Sequence, residues 1–194
     1  MMKHYIDVTL LPNEEIDLYF LWEKVYQQLH LALVEVQTED EKSLIGVSFP
    51  NYDDALPSLG CKLRIFATSL NELVALNINH WLSKLRDYVH ITSIQKVPDN
   101  VGSYACFKRL QLKTNNERLA RRRAKRKSIS IEEARSYFND RKEKFSRAPF
   151  IQIKSLRSNQ NYRLVIVKEK AENQGIRNDF STYGLSSISS VPIF

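Results

Sequence analysis

Chemistry in this chain of 194 residues must come from few kinds of side chain. The sequence contains four histidines and two cysteines, and none of them stands at the spacing of a metal-binding motif. Five glycines leave little room for a glycine-rich loop that cradles phosphates. We therefore expect neither a metal nor another cofactor. An enzyme built on this sequence would use acid–base side chains alone, and histidine is the one that titrates near neutral pH.

One histidine, His30, falls within a predicted helix, in the stretch QQLHLAL. RNA undergoes a reaction that needs only such a group. Its own 2′-OH attacks the adjacent phosphate once the two are in line, a histidine takes or gives the proton, and the products are a cyclic phosphate and a free 5′-OH. Nothing in the neighbouring sequence marks His30 as catalytic, because a lone histidine there is usually a surface or boundary residue.

The most basic stretch is NNERLARRRAKRK, residues 115–127, where seven of thirteen residues are Arg or Lys. A helix here has repelling like charges and no apolar stripe to anchor it. A nucleic-acid backbone offsets both deficits, because its phosphates neutralise Lys and Arg. The side chains that we expect to bind phosphate are Arg118, Arg121, Arg122, Lys125 and Arg126. A solvated helix or a disordered basic tail is the alternative.

The shape of the groove limits which nucleic acids such a helix can bind. An arginine-rich helix fits the major groove of duplex DNA, or that of RNA where a hairpin end widens it, whereas the unperturbed A-form groove is too deep and narrow. Arg109 and Gln111 precede the helix and stand two apart on a predicted strand, hence on one face. Arg can read guanine and Gln can read adenine.

Charge is divided unequally along the chain. Residues 1–97 hold 8 Lys/Arg and 13 Asp/Glu, a net charge of −5, while residues 98–194 hold 21 and 9, a net charge of +12. This favours a polyanion as partner of the C-terminal half. The stretch PDNVGS, at 98–103, predicts a boundary between domains 1–97 and 98–194. No apolar run is long enough to span a bilayer and no signal peptide is evident, so we expect a cytoplasmic protein that does not bind membranes.

The elements that must position these residues differ between the halves. Hydrophobic periodicity in the N-terminal half predicts strands at 4–10, 43–49, 62–68 and 89–97 and helices at 14–35 and 69–88. This β-α-β-β-α-β order is that of a ferredoxin-like domain, a topology shared by RNA-recognition modules, and the fold class is α+β. Fold alone assigns no function.

The C-terminal half is expected to be a smaller mixed α/β domain that binds RNA through the arginine-rich helix. Its predicted elements are a strand at 103–112, helices at 115–127 and 131–145, strands near 149–156 and 161–168, and a final short strand. Thr114 with Glu117, and Ser130 with Glu133, have the spacing of capping boxes, which favours ordered helices.

Several blocks of sequence resemble, in order, those of one family. They are HYIDVTLLP at 4–12, LHLAL around His30, IGVSFP at 45–50, RLQ with the basic helix, PFIQIKSLRSNQNYRL at 149–164 and STYGLS at 181–186. Together they resemble the CRISPR repeat-processing endoribonuclease of the subtype I-F systems, over essentially the whole chain. That family cuts CRISPR precursor RNA at the 3′ base of a short repeat hairpin, without a metal. It stays bound to the product hairpin beside the other subunits of the surveillance complex.

The resemblance implies a role for each matching residue. His30 matches the general base toward the 2′-OH, Ser155 the serine that holds the attacking ribose, and Tyr183 the tyrosine that supports the active site. Arg109 and Gln111 match the pair that reads bases in the major groove of the hairpin.

The resemblance also extends to the foot of the stem and to the basic helix. Tyr162 matches an aromatic residue that stacks on a base at the foot of the stem, where Phe is common. The helix differs from the family pattern at Ala120, which often is Arg, and at Lys125, which replaces an Arg. Lys keeps the charge but loses the planar fork, which bears on sequence preference more than on the reaction.

Two other functions are compatible with parts of the sequence. A hairpin-binding subunit that does not cleave would keep Arg109, Gln111 and the helix but would not need His30. A DNA-binding protein would explain the basic helix and leave the N-terminal half unexplained. A transposon-associated version of the CRISPR system is also compatible with the sequence.

Overall fold

The computed structural model describes residues 1–40, 42–111, 116–138, 146–155, 159–173, 175 and 178–194. Within these ranges no helix is both long and apolar enough to cross a membrane. The same ranges contain no group of three or more His, Cys, Asp or Glu side chains that could hold a metal ion.

The N-terminal half forms one sheet with helices packed on it. Its elements are β1 (His4–Leu10), α1 (Leu18–Glu35), β2 (Gly46–Ser48), β3 (Lys62–Ala67), α2 (Leu70–Leu76), α3 (Ile78–Trp81), β4 (Val89–Ile91) and β5 (Gln95–Lys96). The strand order is β2-β3-β1-β4, β5 also pairs with β1, and all of these pairs are antiparallel. The central strand β1 is therefore paired along both edges.

Helix α1 begins four residues later than predicted because two side chains bind the chain before it. The Asn13 side chain accepts hydrogen bonds from the backbone N–H groups of Glu15 and Ile16, at 2.8 and 3.0 Å, which holds these residues in a turn. Asp17 then caps the helix by accepting from the N–H of Tyr19 at 2.6 Å. The buried side chains of α1 are Leu21, Trp22, Val25, Tyr26, Leu29, Ala32 and Leu33.

The helix predicted over 69–88 is broken into α2, α3 and a short 3-10 helix (Ser83–Leu85). The break lies at Asn77, whose φ of 43° and ψ of 50° are left-handed, a conformation that Asn tolerates better than most residues. The capping box of Ser69 and Glu72 is present and starts α2. The spacing of apolar residues predicted this segment as helical but did not reveal the break.

A second sheet contains β6 (Ser103–Arg109), β7 (Phe150–Lys154), β8 (Asn161–Ala171) and β9 (Val191–Ile193) in the order β7-β8-β6-β9, with antiparallel pairs. Strand β6 ends at Arg109, although the Leu110 N–H still donates to the Val165 carbonyl at 2.8 Å. The prediction that Arg109 and Gln111 share one face of a strand is therefore wrong, because the chain leaves the sheet before Gln111.

The chain divides into two compact units, one of residues 1–110 with 148–194 and the other of residues 111–147. The first unit contains both sheets, and they share a core in which the rings of Phe49 and Phe107 meet edge to face at 5.4 Å. The predicted boundary at 97/98 thus lies inside this unit, where it separates the two sheets in sequence but not their core.

The second unit contains two helices, α4 (Asn116–Lys127) and α5 (Ile131–Ser136), which pack on each other. Ala120 and Ala134 are their buried residues. Ser130 caps α5 by accepting from the N–H of Glu133 at 3.0 Å. The capping partner predicted for α4, Thr114, lies outside the described residues, as do Asn115 and residues 139–145 of the predicted second helix.

Candidate active site and nucleic-acid interface

The imidazole of His30 is fixed by contacts with two consecutive residues far along the chain. Its Nδ1 lies 2.8 Å from the main-chain oxygen of Thr182. Its ring stacks on that of Tyr183, with centroids 4.1 Å apart and planes inclined by 9°. A carbonyl oxygen only accepts hydrogen bonds, so Nδ1 must carry the proton. In the neutral imidazole Nε2 is then unprotonated, and it is the atom able to take a proton from a substrate.

The surroundings of His30 favour the neutral imidazole. Burial lowers the pKa of His30 from its ordinary value of 6.5, and the hydrogen bond to Thr182 opposes this effect without cancelling it. The lowered pKa keeps most of the imidazole uncharged at pH 7. A base that is unprotonated at the working pH is what general base catalysis requires.

The turn of residues 181–184 presents these groups to the imidazole and depends on a glycine. Gly184 has a φ of +68°, a conformation that L side chains rarely adopt. Its N–H donates to the Ser181 carbonyl at 2.8 Å, and its own carbonyl accepts from the N–H of Val47 in β2 at 3.0 Å. A Cβ at residue 184 would lie 2.6 Å from Cγ1 of Val47, so both backbone conformation and space require glycine here.

Tyr26 supports the same turn from within the core. Its hydroxyl donates to the main-chain oxygen of Tyr183 at 2.8 Å. Its ring is fully buried and lies nearly parallel to that of Phe49, with centroids 6.1 Å apart. Burial raises the pKa of Tyr26 well above 10, so the phenol remains a hydrogen-bond donor. The sequence analysis missed this residue, since its only signal was a place on the apolar face of α1.

Tyr162, on β8 of the second sheet, extends the cluster of His30 and Tyr183. The hydroxyls of Tyr183 and Tyr162 are hydrogen-bonded to each other. The guanidinium of Arg109 lies 5.3 Å from the centroid of the Tyr162 ring. Burial, together with the bond to Tyr162, raises the pKa of Tyr183 well above 10. Tyr183 therefore stays a neutral phenol at physiological pH, which suits a group that positions the imidazole rather than one that removes a proton.

Ser155 lies at the end of the β7–β8 hairpin nearest to this cluster. It directly follows β7, and the register pairs Ile153 with Tyr162, the residue that contacts Tyr183. The Ser155 N–H donates to the carbonyl of Gln160 at 2.9 Å, and its own carbonyl accepts from the N–H of Asn159 at 2.8 Å. These bonds tie the backbone of Ser155 to the backbones of Asn159 and Gln160. Residues 156–158 lie outside the described part of the chain.

Gln27 is a further polar residue on α1 that the sequence analysis missed. It stands three residues before His30, a spacing that puts two side chains on neighbouring positions of one helix face. Its Oε1 and Nε2 are both buried, and neither has a hydrogen-bond partner in the described part of the chain. An unsatisfied buried amide group destabilises a fold by about 1–3 kcal/mol, so an additional polar group here would be stabilised. Its spacing of three residues from His30 was the feature of the sequence that could have identified Gln27.

The basic helix α4 presents most of its cations to solvent. Arg118, Arg122, Lys125 and Arg126 are exposed. Arg121 is exposed as well, but its Nε lies 3.2 Å from a carboxylate oxygen of Glu117 one turn earlier.

The carboxylate of Glu117 also links α4 to α5, and we call these two helices the α4–α5 hairpin. Glu117 accepts two hydrogen bonds from Arg135 of α5, both at 2.9 Å. These bonds from Arg135, more than the contact with Arg121, lower the pKa of Glu117. The carboxylate is consequently ionised at neutral pH, and Arg121 is partly neutralised before any ligand binds.

Comparison with known proteins places the chain in a family. The family described as CRISPR-associated protein (Cas_Csy4) matches residues 5–194. A CRISPR-associated endonuclease Cas6/Csy4 of Pseudomonas aeruginosa (strain UCBPP-PA14) is 37% identical over 193 residues, covering 100% of both chains. The protein of the same name from Escherichia coli (strain UTI89 / UPEC) is 32% identical over 193 residues, again covering 100% of both. The chain belongs to the Cas6/Csy4 family.

A solved structure described as an RAMP protein binding different RNA substrates also matches, with 12% identity, 98% of this chain and 100% of that chain covered, and a TM-score of 0.38. A likeness that distant carries no weight beside the Cas6/Csy4 relatives. The family that the sequence blocks resemble is confirmed, and the match extends through both compact units.

Within this Cas6/Csy4 chain, four of the predicted site residues form one continuous set of contacts. They are His30, Tyr183, Tyr162 and Arg109. Ser155 lies at the same end of the hairpin as one of them. The remaining predicted residues, Gln111 and the five cations of α4, belong to the other compact unit.

Proposed function

We propose that this protein is a metal-independent endoribonuclease that cuts CRISPR precursor RNA at the 3′ base of the repeat hairpin. It then stays bound to that hairpin as a subunit of a subtype I-F surveillance complex. Membership of the Cas6/Csy4 family and the full-length relatives named as CRISPR-associated endonucleases support this proposal. In its terms, residues 1–97 form a ferredoxin-like half, since strands in the order β2-β3-β1-β4 fit that topology, and residues 98–194 supply the RNA-binding half.

The observation that carries the proposal is the geometry of His30. Its Nδ1–H is bound to the Thr182 carbonyl, its ring is stacked on Tyr183, and its pKa is lowered, which together leave Nε2 as a neutral base at pH 7. Nε2 takes the proton of the 2′-OH, O2′ bonds to the adjacent phosphorus, and the bond from phosphorus to O5′ breaks. The leaving O5′ takes up a proton from water, which gives the 5′-OH and a 2′,3′-cyclic phosphate, and the imidazolium then returns its proton to the solvent.

The other residues of the first unit act in binding and positioning. Ser155 holds the attacking ribose, and Tyr183 keeps the imidazole in its plane by stacking. Arg109 reads a base in the major groove, and Tyr162 stacks on a base at the foot of the stem, a contact worth about 1–3 kcal/mol.

Residues of the second unit hold the stem. Gln111 reads a further base. The cations of α4 bind phosphates, namely Arg118, Arg121, Arg122, Lys125 and Arg126.

The proposal is tested by measuring cleavage and binding separately, with the cognate repeat RNA in EDTA. We expect the wild type to cleave and His30→Ala to bind with unchanged affinity while its rate falls roughly 10²- to 10⁴-fold, the usual contribution of general base catalysis. His90→Ala is the matched control, because His90 is an exposed histidine on β4, and it should cleave like the wild type.

A substrate with a single 2′-deoxyribose at the cut site tests the identity of the nucleophile. It should bind normally and remain intact, because the attacking oxygen is missing. Cleavage of this RNA, or loss of wild-type cleavage in EDTA, would contradict the mechanism. Tight binding by the wild type without any cleavage would instead assign the chain to the non-cleaving hairpin-binding subunits.

A further inference from the structure

Arg123 differs from the other cations of α4 in where its side chain lies. It is half-buried, whereas Arg122 and Lys125 beside it are exposed. Its guanidinium carbon lies 3.8 Å from the centroid of the Tyr137 ring, which directly follows α5. This is the shortest of the cation–ring distances in the described part of the chain. Arg123 is therefore directed onto an aromatic ring of the same unit.

No carboxylate of the described residues matches the charge of Arg123. No Asp or Glu lies within salt-bridge distance of it among the described residues, whereas Arg121 and Arg135 both reach Glu117. Its Nε is buried and has no hydrogen-bond partner in the same ranges. An unsatisfied buried donor on a cation is unfavourable. The terminal nitrogens of the same guanidinium are not among the buried atoms, and an anion that binds them would balance the charge of the group. Arg123 thus offers a cation for which the described residues supply no anion.

The ring of Tyr137 is open to solvent, with 57% of the residue exposed. The comparable pair in the first unit, Arg109 with Tyr162, is different. The Tyr162 hydroxyl is bonded to Tyr183 and its half-buried ring packs against the core, so less of its aromatic surface is free. Tyr137 therefore combines a guanidinium near its ring with substantial free aromatic surface.

An exposed aromatic ring beside an unmatched guanidinium fits a nucleotide. The base stacks on the ring, an interaction that tolerates any base, and the guanidinium binds the phosphate through charge-assisted hydrogen bonds. A base within a duplex is already stacked and paired, so the base bound here must be unpaired. We propose that Arg123 and Tyr137 form a binding site for one unpaired nucleotide of the RNA. This inference rests on the proposed function, which makes an RNA hairpin with unpaired loop and flanking nucleotides the ligand.

The test uses the repeat hairpin RNA with 2-aminopurine placed in turn at each unpaired position of the loop and of both flanks. We expect one position at which the wild type quenches the fluorescence and Tyr137→Ala does not. Tyr137→Phe should restore the quenching because it keeps the ring. An abasic nucleotide at that position should weaken binding roughly 5- to 100-fold for the wild type and leave Tyr137→Ala unchanged.

Tyr19→Ala is the matched control, because Tyr19 on α1 is 60% exposed, slightly more than Tyr137. It should quench and bind like the wild type. Arg123→Lys keeps the charge but not the planar guanidinium, and we expect it to bind more weakly than the wild type with an unchanged slope of log K against log[salt]. Circular dichroism of each variant verifies that the fold is kept.

The outcomes separate this inference from the proposed function. Equal binding and quenching by the wild type and Tyr137→Ala, with cleavage intact, overturns the nucleotide site and leaves the endoribonuclease in place. Tyr137-dependent quenching without cleavage supports the site and removes the catalytic proposal. Failure of the wild type to bind the hairpin overturns both.

Discussion

The cluster around His30 and the α4–α5 hairpin are built in opposite ways. The first consists of stacked rings and backbone hydrogen bonds at the edge of a shared core, and burial determines the direction of its pKa shifts. The second has only two buried residues in its helices, both alanines, and several of its Arg and Lys side chains are exposed. From this difference we expect that substitutions in the His30 cluster change cleavage and that substitutions in the α4–α5 hairpin change RNA binding.

Among the tests of this comparison, Gly184→Ala should produce the largest difference between the effect on cleavage and the effect on RNA binding. The left-handed conformation alone costs about 1–2 kcal/mol for a residue with a Cβ, and the clash with Val47 displaces the turn that holds the imidazole. We expect single-turnover cleavage to fall on the order of 10- to 100-fold while RNA affinity changes less than about twofold. Gly102→Ala is the control, since its Cβ would meet nothing within 4 Å. Equal loss of binding and cleavage would show that the two regions are not separable.

The pH dependence of the rate should distinguish the regions next. At RNA concentrations well below saturation, where the rate reports the free enzyme, cleavage should be level at neutral pH and should fall up to about tenfold per pH unit on acidification, because protonated His30 cannot accept a proton. Burial lowers the pKa of His30, so the midpoint must lie below 6.5. The dissociation constant measured over the same range should not follow this curve. A midpoint above 6.5 would show that the imidazole is not desolvated as described.

On the other side of the comparison, Arg122→Ala should affect binding alone. Loss of one phosphate contact should flatten the slope of log K against log[salt] by roughly one unit and weaken binding by about 3- to 10-fold at moderate salt. Lys96→Ala, an exposed cation on β5, serves as the control with an unchanged slope. An unchanged slope for Arg122→Ala would remove this side chain from the interface, and a reduced slope for Lys96→Ala would bring the acidic half into it.

The smallest expected effect belongs to Tyr26→Phe. It removes the hydrogen bond to the Tyr183 carbonyl and keeps the buried ring. Because such a bond contributes about 0.5–1.5 kcal/mol, we expect a comparable loss in the free energy of unfolding by urea and a roughly two- to fivefold slower cleavage step. Tyr19→Phe, at an exposed position, controls for loss of a hydroxyl. A slower step without any loss of stability would assign the Tyr26 hydroxyl a direct part in the reaction.

Local regularity explains which elements the sequence predicted. The patterns in β1 and α1 are properties of consecutive residues. Strand β1 has the predicted bounds, and α1 ends where its apolar spacing predicted but begins four residues later. The break at Asn77 and the turn before α1 depend on single side chains that tolerate or stabilise irregular backbone, so periodicity did not show them.

The candidate site was less predictable because its parts are distant in sequence. His30 and Tyr183 are 153 positions apart, and no periodicity connects them; the family resemblance suggested both, and the fold brought their rings together. The pattern of charges in α4 likewise did not separate Arg123 from its neighbours, because a helix without an apolar stripe gives no sign of which cation turns inward.

The tautomer of His30 is set by a main-chain oxygen and not by a side chain. A substitution at Thr182 keeps its carbonyl, so in a saturation mutagenesis scan residue 182 should accept many amino acids. What the hydrogen bond requires is the backbone conformation of the turn, and this conformation depends on Gly184, two residues away. Sequence drift in this turn should therefore be uneven, with a permissive position almost adjacent to a nearly invariant one.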